Sequence, residues 1–113
     1  MKRVKQGEIW EMYFDPTTGS EQSGRRPAVI ISGNLLNEYL NVVIVCPLST
    51  SIKNYKGNVV LTPNTINGLL KESEVMIFHV RSVAKEQLKR KIGAIEDGQL
   101  SLIKQGLEDI LKY

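Results

Sequence analysis

The sequence predicts a mainly β protein in which about five to seven short strands precede one C-terminal helix. Two patterns lead to this prediction. Up to residue 95, short apolar or alternating runs of strand length recur, and most are bounded by glycine, proline or asparagine. Beyond residue 97, the apolar residues instead recur at three- and four-residue spacing, which is typical of an amphipathic helix.

Six segments have the composition and length of strands, namely 8–14, 27–32, 41–49, 58–62, 74–83 and 91–95. The run 41–49 is almost continuously apolar, so we expect a central strand covered on both faces. Because proline has no N–H to donate to a sheet, Pro47 is expected to end this strand and leave residues 48–50 at the rim. One helical turn is predicted around residues 35–39.

Alternation along the first strand separates two sets of side chains. We assign one set to the protein interior, namely Trp10, Met12 and Phe14. The other set is expected on the opposite face, namely Ile9, Glu11 and Tyr13. Under this assignment Trp10 and Phe14 pack in the core and do not stack on a ligand.

The C-terminal helix is expected to bury one apolar stripe, whose members are Leu100, Ile103, Leu107, Ile110 and Leu111. Asp97 is a suitable N-cap for this helix. Gly106 costs about 1 kcal/mol relative to alanine inside a helix, which is tolerated where another backbone packs closely against it. The stripe can pack on the sheet of its own chain or on a partner subunit, and the periodicity is compatible with both.

The composition is that of one compact globular domain, which we assign to residues 1–113, since 42% of the residues are apolar and 24% are charged. No run approaches the roughly 20 apolar residues that span a membrane, so a cytoplasmic location without membrane contact is expected. Cys46 lies in an apolar run and is expected to be a buried, inert thiol. With one histidine, one cysteine and no acidic cluster of ligand spacing, neither a metal nor a cofactor is predicted.

A long loop, residues 15–27, separates the first two predicted strands. It contains turn-forming glycines and a proline, a carboxylate at Glu21, and the adjacent guanidinium groups of Arg25 and Arg26 before Pro27. Long loops between strands usually carry function, and paired guanidinium groups suit a phosphate-bearing ligand. The formal net charge of +3 favours a polyanionic partner only weakly.

In chain order, the most distinctive segments are Gly7–Trp10, Asp15–Gln22, Gly24–Pro27, Val45–Thr50 and Val59–Leu61. The most specific of them is Gly-Ser-Glu-Gln followed by Gly-Arg-Arg-Pro. Together these segments resemble the MazF/PemK toxin family along the whole chain. The resemblance implies an SH3-like barrel with a C-terminal helix, and a sequence-specific, metal-independent endoribonuclease that acts on single-stranded RNA. It also implies a homodimer that an acidic antitoxin protein inhibits.

The resemblance assigns catalytic roles to Glu21, Arg26 and Ser49. Cleavage of RNA without a metal normally uses the neighbouring 2′-OH as nucleophile, and it needs a proton acceptor, a proton donor and positive charge near the phosphorane. Arg26 would stabilise that charge and donate toward the leaving oxygen, because an arginine that stays protonated is a poor base. Ser49 would orient the phosphate. Glu21 would either accept the 2′-OH proton or hold Arg26 or the loop in place.

Further residues are expected to contact RNA without cleaving it. Arg25 is expected to contact phosphate, and the segment with His79 and Arg81 is expected to line the RNA groove by stacking or base-edge hydrogen bonds. The remaining predicted contacts are Ser20, Gln22, Thr50 and Lys53. Ala84 stands where some relatives carry a catalytic aspartate, so the sequence does not support a mechanism that pairs Arg81 with such a carboxylate.

Two alternatives remain at the level of sequence. A gyrase-inhibiting toxin of the CcdB type shares the fold by resemblance and acts by binding a protein, so it does not need the Glu21 and Arg26 motif. A non-catalytic nucleic-acid-binding module is the other alternative. The sequence does not identify the recognised RNA sequence or the antitoxin, because base readout depends on the shapes of loops 51–57 and 62–68.

Overall fold

The computed structural model describes residues 2–13 and 25–113. Within these ranges the strands are β1 (Glu8–Tyr13), β2 (Arg25–Ile30), β3 (Val42–Ser49), β4 (Val59–Leu61), β5 (Ser73–Val75), β6 (Arg81–Ala84) and β7 (Leu88–Ala94). The helices are α1 (Asn34–Tyr39) and α2 (Asp97–Lys112), and short 3-10 turns span Ile77–His79 and Lys85–Gln87. The described strands form one seven-stranded sheet with the order β4-β5-β3-β2-β1-β7, to which β6 is added beside β3. The predicted mainly β architecture, the turn at 35–39 and the C-terminal helix are confirmed.

Strand β3 pairs with three other strands. On the side opposite β2 it pairs with β6 from Val42 to Val45, and then with β5 at Leu48 and Ser49. Pro47 lies between these two pairings, and its carbonyl oxygen accepts the N–H of Met76 at 2.8 Å. The prediction that Pro47 ends the strand is therefore wrong. Pro47 has no N–H to donate, but it lies where the neighbour of β3 changes from β6 to β5. Strand β3 therefore continues to Ser49.

The segment predicted as one strand, 74–83, is divided into β5, the 3-10 turn Ile77–His79 and β6. This segment pairs with β3 at Val75–Leu48 and again at Arg81–Val45. The second pair lies six residues further along the segment, but only three residues away along β3. The surplus residues leave the ladder as the 3-10 turn. Ile77 is buried there, whereas Phe78 and His79 are exposed. The predicted strand is therefore wrong at its centre, because the register is set by β3 and not by local propensity.

Strand β2 begins at Arg25, earlier than the boundary predicted at Pro27. Arg25 and Arg26 pair with Tyr13 and Met12 of β1, so both arginines belong to the sheet and not to the loop. Pro27 lies inside the strand, opposite Glu11. Phe14 and the remainder of the predicted loop, residues 15–24, lie outside the described ranges.

The sheet buries a hydrophobic cluster on each face. Trp10 and Met12 belong to the first cluster, as predicted. Ile9 is fully buried in the second cluster together with Cys46 and Ile103, so its assignment to the face away from the interior is wrong. Both faces of β1 are covered because α2 packs over the second cluster. Burial raises the pKa of Cys46 to about 12, which confirms an inert thiol at neutral pH.

Helix α2 uses its apolar stripe on its own chain. Ile103 is fully buried, and Leu100 and Leu107 pack against the same second cluster. Ile110 is 46% exposed at the end of the stripe. Of the two alternatives that the periodicity left open, packing on the sheet of the same chain holds for Leu100, Ile103 and Leu107, whereas Ile110 and Leu111 are exposed.

Two details of α2 refine the predictions. The helix starts at Asp97, so the N-cap is Glu96, whose backbone N–H donates to Gln99 Oε1 at 2.9 Å. An added Cβ at Gly106 would lie 2.9 Å from the carbonyl oxygen of Gly57 and 2.7 Å from Ile77 Cδ1. The predicted close packing of another backbone against Gly106 is confirmed.

The loop after β3 is attached to β5 by one buried carboxylate, that of Glu74. Oε1 accepts the backbone N–H groups of Lys53 at 2.7 Å and Asn54 at 3.1 Å. Oε2 accepts the backbone N–H of Tyr55 and the side-chain amide of Asn58, each at 2.9 Å. Burial opposes ionisation, but these hydrogen bonds outweigh it and hold the pKa of Glu74 below its ordinary value. We call this set of four hydrogen bonds the Glu74 clamp.

The Glu74 clamp predicts an acid-sensitive contribution to stability. Because the folded-state pKa of Glu74 is below its ordinary value of 4.5, the clamp stabilises the folded protein above about that pH. This contribution is lost as the pH falls through the lowered pKa. Glu74→Gln replaces an acceptor by an NH2 group that faces N–H donors, so we expect a loss of about 1–3 kcal/mol at neutral pH.

Urea unfolding of the wild type and Glu74→Gln at several pH values measures this effect. The difference between the two proteins should be largest near neutral pH and should shrink toward acid pH. Glu72→Gln is the matched control, since Glu72 is an exposed neighbour whose substitution should change stability little. Equal stabilities of Glu74→Gln and the wild type at neutral pH would contradict the clamp.

Candidate active site

Arg26 and Ser49 come together at one end of the sheet. Strands β2 and β3 are antiparallel and pair at Ala28 and Pro47. Arg26 precedes Ala28 by two residues and Ser49 follows Pro47 by two, so both lie on the same side of this pair. Strand alternation puts their side chains on the same face. Arg26 is half-buried, and its Nη2 lies 3.5 Å from the carbonyl oxygen of Leu48. The structure thus places a predicted catalytic cation next to the strand end that carries the predicted catalytic hydroxyl.

The hydroxyl of Ser49 is oriented by the turn that follows β3. Its Oγ accepts the backbone N–H of Ser51 at 3.1 Å and lies 3.4 Å from the Ser51 carbonyl oxygen. A serine at the end of a strand commonly stabilises a turn in this way. Because the contact is exposed, the hydroxyl proton can turn toward an incoming phosphate oxygen while the N–H of Ser51 keeps Oγ in place.

Arg81 extends the positive charge along the same face. It starts β6 and pairs with Val45, which lies four residues before Ser49, roughly 13 Å along an extended strand. Residues 45, 47 and 49 alternate onto one face, so Arg81 lies on the face that carries Arg26 and Ser49. Arg26 and Arg81 share this face, whereas the neighbouring Arg25 of β2 lies on the opposite face. We call these three arginines the basic track.

Arg25 lies at the exposed end of this track. Its Nη1 is 3.4 Å from Glu11 Oε1, and Arg90 Nε is 3.7 Å from the same oxygen. Both guanidinium groups are more than half exposed, and ion pairs of this kind contribute little to stability. Arg25 can therefore exchange Glu11 for a phosphate at small cost.

The other predicted contacts lie around the same end of the sheet or outside the described ranges. Thr50 and Lys53 are exposed after β3, and the Glu74 clamp holds the backbone N–H of Lys53. His79 is exposed at the end of the first 3-10 turn. Outside the ranges that the structure describes are Ser20, Glu21 and Gln22.

Sequence reasoning missed Glu74, whose Cα pairs with that of Ser49. The available signal was a carboxylate inside a β-rich segment, because a charged side chain in an apolar strand must be paired if it is buried. Three of its four partners are backbone N–H groups, which have no sequence signature. The exposure of Phe78 was also missed, since it follows from the break between β5 and β6.

In residues 2–13 and 25–113, no three His, Cys, Asp or Glu side chains are grouped in a way that could hold a metal ion. In the same part of the chain, no helix combines the length and apolarity needed to cross a membrane.

Comparison with known proteins relates this geometry to a family. The family model described as PemK-like, MazF-like toxin of type II toxin-antitoxin system matches residues 5–111. The chain is 31% identical over 110 residues to Endoribonuclease MazF9 of Mycobacterium tuberculosis, with 93% of each protein covered. It is 33% identical over 99 residues to Endoribonuclease toxin MazF of Escherichia coli K12, with 87% of this chain and 85% of that protein covered.

Solved structures agree with this match. A MazE-MazF crystal structure from Deinococcus radiodurans superimposes with a TM-score of 0.82 at 25% identity, and covers 99% of this chain and 98% of that chain. The predicted mainly β barrel of the MazF type, with its C-terminal helix, is confirmed. The chain therefore belongs to the PemK-like, MazF-like family of toxins of type II toxin-antitoxin systems.

Proposed function

We propose that this chain is an endoribonuclease toxin that cleaves single-stranded RNA, in particular messenger RNA, at specific sequences and without a metal ion. The observation that carries the proposal is the placement of Arg26 and Ser49 on one face where β2 and β3 meet. The names of the matched relatives, Endoribonuclease MazF9 and Endoribonuclease toxin MazF, support it. A messenger RNA substrate implies action in the cytoplasm.

The proposed reaction is attack by the 2′-OH on the adjacent phosphorus. The new P–O2′ bond forms, the P–O5′ bond breaks, and the products carry a 2′,3′-cyclic phosphate and a 5′-OH. Arg26 stabilises the negative charge of the phosphorane and is suited to protonate the leaving 5′-oxygen. Ser49 orients the scissile phosphate. Glu21, proposed from the sequence motif, accepts the 2′-OH proton or holds Arg26 in place.

The basic track binds the RNA backbone on either side of the cleaved bond. Arg25 and Arg81 contact phosphates, and Lys53 supplies a further cation on the loop after β3. The other proposed RNA contacts are Ser20, Gln22, Thr50 and His79. These contacts are mostly to phosphate and contribute affinity, whereas discrimination among sequences requires contacts to the bases.

Two rival functions make different predictions. A gyrase-directed toxin would leave RNA intact, and the endoribonuclease names of the matched relatives support RNA cleavage over this alternative. A non-catalytic module would bind RNA without cutting it. Incubation of the purified protein with defined single-stranded RNA, followed by sizing of the products, separates RNA cleavage from both rivals. A gel-shift assay with the same RNA then separates a non-catalytic RNA-binding module from a gyrase-directed toxin.

The product ends test the proposed chemistry. We expect cleavage to leave 2′,3′-cyclic phosphate and 5′-OH ends, to continue in EDTA, and to stop when the nucleotide before the cut carries a 2′-deoxyribose. Mass spectrometry of the fragments and a matched 2′-deoxy substrate measure these outcomes. Fragments with a 3′-OH, or loss of cleavage on chelation, would reject attack by the 2′-OH without a metal.

Replacement of Arg26 tests its role at the phosphorane. Arg26→Ala should lower the cleavage rate by about 100- to 1,000-fold, because one preorganised charge contact is removed from the transition state. Arg26→Lys should also be strongly impaired, since an ammonium group keeps the charge but loses the planar two-pronged geometry. Single-turnover cleavage assays measure both, with Arg90→Ala as an exposed arginine control on β7. A near-normal rate for Arg26→Ala would show that this residue is not catalytic.

We also propose that the protein is a homodimer that an acidic antitoxin protein inhibits. The family description, toxin of type II toxin-antitoxin system, supports an antitoxin partner, and the structure titled MazE-MazF from Deinococcus radiodurans shows that a similar protein forms a complex. A dimer doubles the positive charge available to RNA, and an acidic peptide laid over the basic track would exclude RNA by direct competition. Because the stripe of α2 is mostly used internally, the proposed dimer surface is the exposed apolar group on α1 and the start of β3. Its members are Leu35, Tyr39, Leu40 and Val42.

Light scattering at low and high salt tests the dimer. At micromolar concentration the wild type should remain a dimer at both salt concentrations because apolar burial resists salt, while RNA affinity should fall steeply as salt rises. Leu35→Glu should give a monomer, since this side chain is 77% exposed on α1. Leu111→Glu on α2, where the leucine is 89% exposed, should stay dimeric. A monomeric wild type would refute the dimer.

A further inference from the structure

Three aromatic rings form an exposed row, carried by the loop after β3 and by the 3-10 turn Ile77–His79. Tyr55 and Phe78 lie with their ring centroids 5.5 Å apart, at an interplanar angle of 65°. Phe78 and His79 follow at 4.7 Å and 85°. Tyr55 is 47% exposed and Phe78 is 50% exposed, and His79 is also exposed. These rings therefore pack against one another at the surface and not in either core cluster.

Edge-to-face packing leaves ring faces available. In such a pair one ring contributes its edge, so the faces of that ring do not take part in the contact. The row thus presents flat apolar surface to solvent next to polar loops. Flat exposed faces of this kind are suited to stack on the π-face of an unpaired base, which any of the four bases provides.

The row is held by the Glu74 clamp and is not a chance contact of loop side chains. The clamp binds the backbone N–H of Tyr55 at 2.9 Å. Asn58, a second member of the clamp, uses its Oδ1 to accept the N–H of Ile77 at 3.1 Å, in the 3-10 turn that carries Phe78. The loop and the turn are therefore tied to each other through Asn58, so the rings are positioned before a ligand arrives.

The position of the clamp relates the rings to the site of cleavage. Glu74 pairs with Ser49 across β5 and β3, so the loop that carries Tyr55 starts from the catalytic end of β3. Positively charged residues neighbour the rings in sequence, namely Lys53 and Lys56 around Tyr55, and Arg81 after His79. Lys56 and Phe78 also line a surface cavity of about 520 Å³, together with Asp109 and Ile110 of α2 and Tyr113. This mixture of flat rings and cations, on a loop that begins after Ser49 and on the turn joined to it, favours a nucleic acid over an uncharged apolar ligand.

We propose that Tyr55, Phe78 and His79 form a stacking site for an unpaired nucleobase of the RNA substrate, close to the cleaved phosphodiester. This inference rests on the RNA cleavage proposed above and adds a base contact to a site otherwise built from phosphate contacts. Because stacking is a ground-state contact made equally in the transition state, its loss raises KM and leaves kcat nearly unchanged.

The test combines kinetics with a fluorescent base. The substrate is a single-stranded RNA oligonucleotide that contains a cut site mapped beforehand with the wild-type protein. Phe78→Leu keeps apolar bulk but removes the flat face, so its KM should rise about tenfold while kcat stays within about twofold. Tyr55→Ala should act in the same direction. Phe78→Tyr and Tyr55→Phe keep an aromatic face and should restore the wild-type KM.

A second measurement identifies the stacked position. The same oligonucleotide is made non-cleavable by a 2′-deoxyribose before the cut and carries 2-aminopurine at one flanking position at a time. Binding should quench the fluorescence at one position, and Phe78→Leu should abolish that quenching. Leu70→Ala is the control, because Leu70 is 96% exposed and lies on the loop between β4 and β5. Thermal unfolding verifies that all variants are folded.

The outcomes separate the two proposals. If the wild type cleaves no RNA, the proposed function fails. If the wild type cleaves RNA but Phe78→Leu and Tyr55→Ala keep both its KM and its quenching pattern, the stacking site is refuted. The exposed rings would then belong to a surface for a protein partner.

Discussion

The structure depends on the change of neighbour along β3. One side of this strand pairs first with β6 and then with β5, and the change occurs around Pro47. A ladder that restarts in a new register cannot keep every residue in the sheet, so the surplus residues form the 3-10 turn Ile77–His79. The same change places Glu74 opposite Ser49. The end of β3 that carries Ser49, the exposed rings and the clamp therefore have one common cause.

Two buried carboxylates, those of Glu74 and Glu8, hold chain segments in place by hydrogen bonds outside the strand ladders. Glu74 receives four donors from the loop after β3. Glu8 accepts the indole N–H of Trp10 and the backbone N–H of Lys5, each at 3.0 Å, and lies 3.0 Å from Lys91 Nζ. In both cases burial opposes ionisation, yet the hydrogen bonds outweigh it and lower the pKa. Removing a buried charge from its donors is costly, so each carboxylate fixes the segment that supplies them.

The candidate site gains order from the elements that carry it. Arg26 and Arg81 lie in strands, where pairing restrains the backbone, and the hydroxyl of Ser49 is oriented by the N–H of Ser51. Charge held in a rigid frame stabilises a developing phosphorane without reorganisation at the moment of reaction. The placement of Arg25 and Arg26 in β2, instead of in the preceding loop, is thus relevant to the proposed chemistry.

The sequence by itself determined the number and order of most strands, the C-terminal helix with its apolar stripe, the buried thiol of Cys46 and the motif that identifies the family. These features depend on local periodicity, polarity and spacing, which the chain carries in short segments. Only the tertiary structure decided that β3 continues through Pro47, that residues 77–79 leave the sheet, that Ile9 is buried by α2, and that Glu74 holds the loop beside Ser49. The physical reason is that these features depend on which strand pairs with β3 and on which backbone N–H groups bind the carboxylate of Glu74. That choice is made by residues distant in sequence, and backbone donors are the same in every residue except proline.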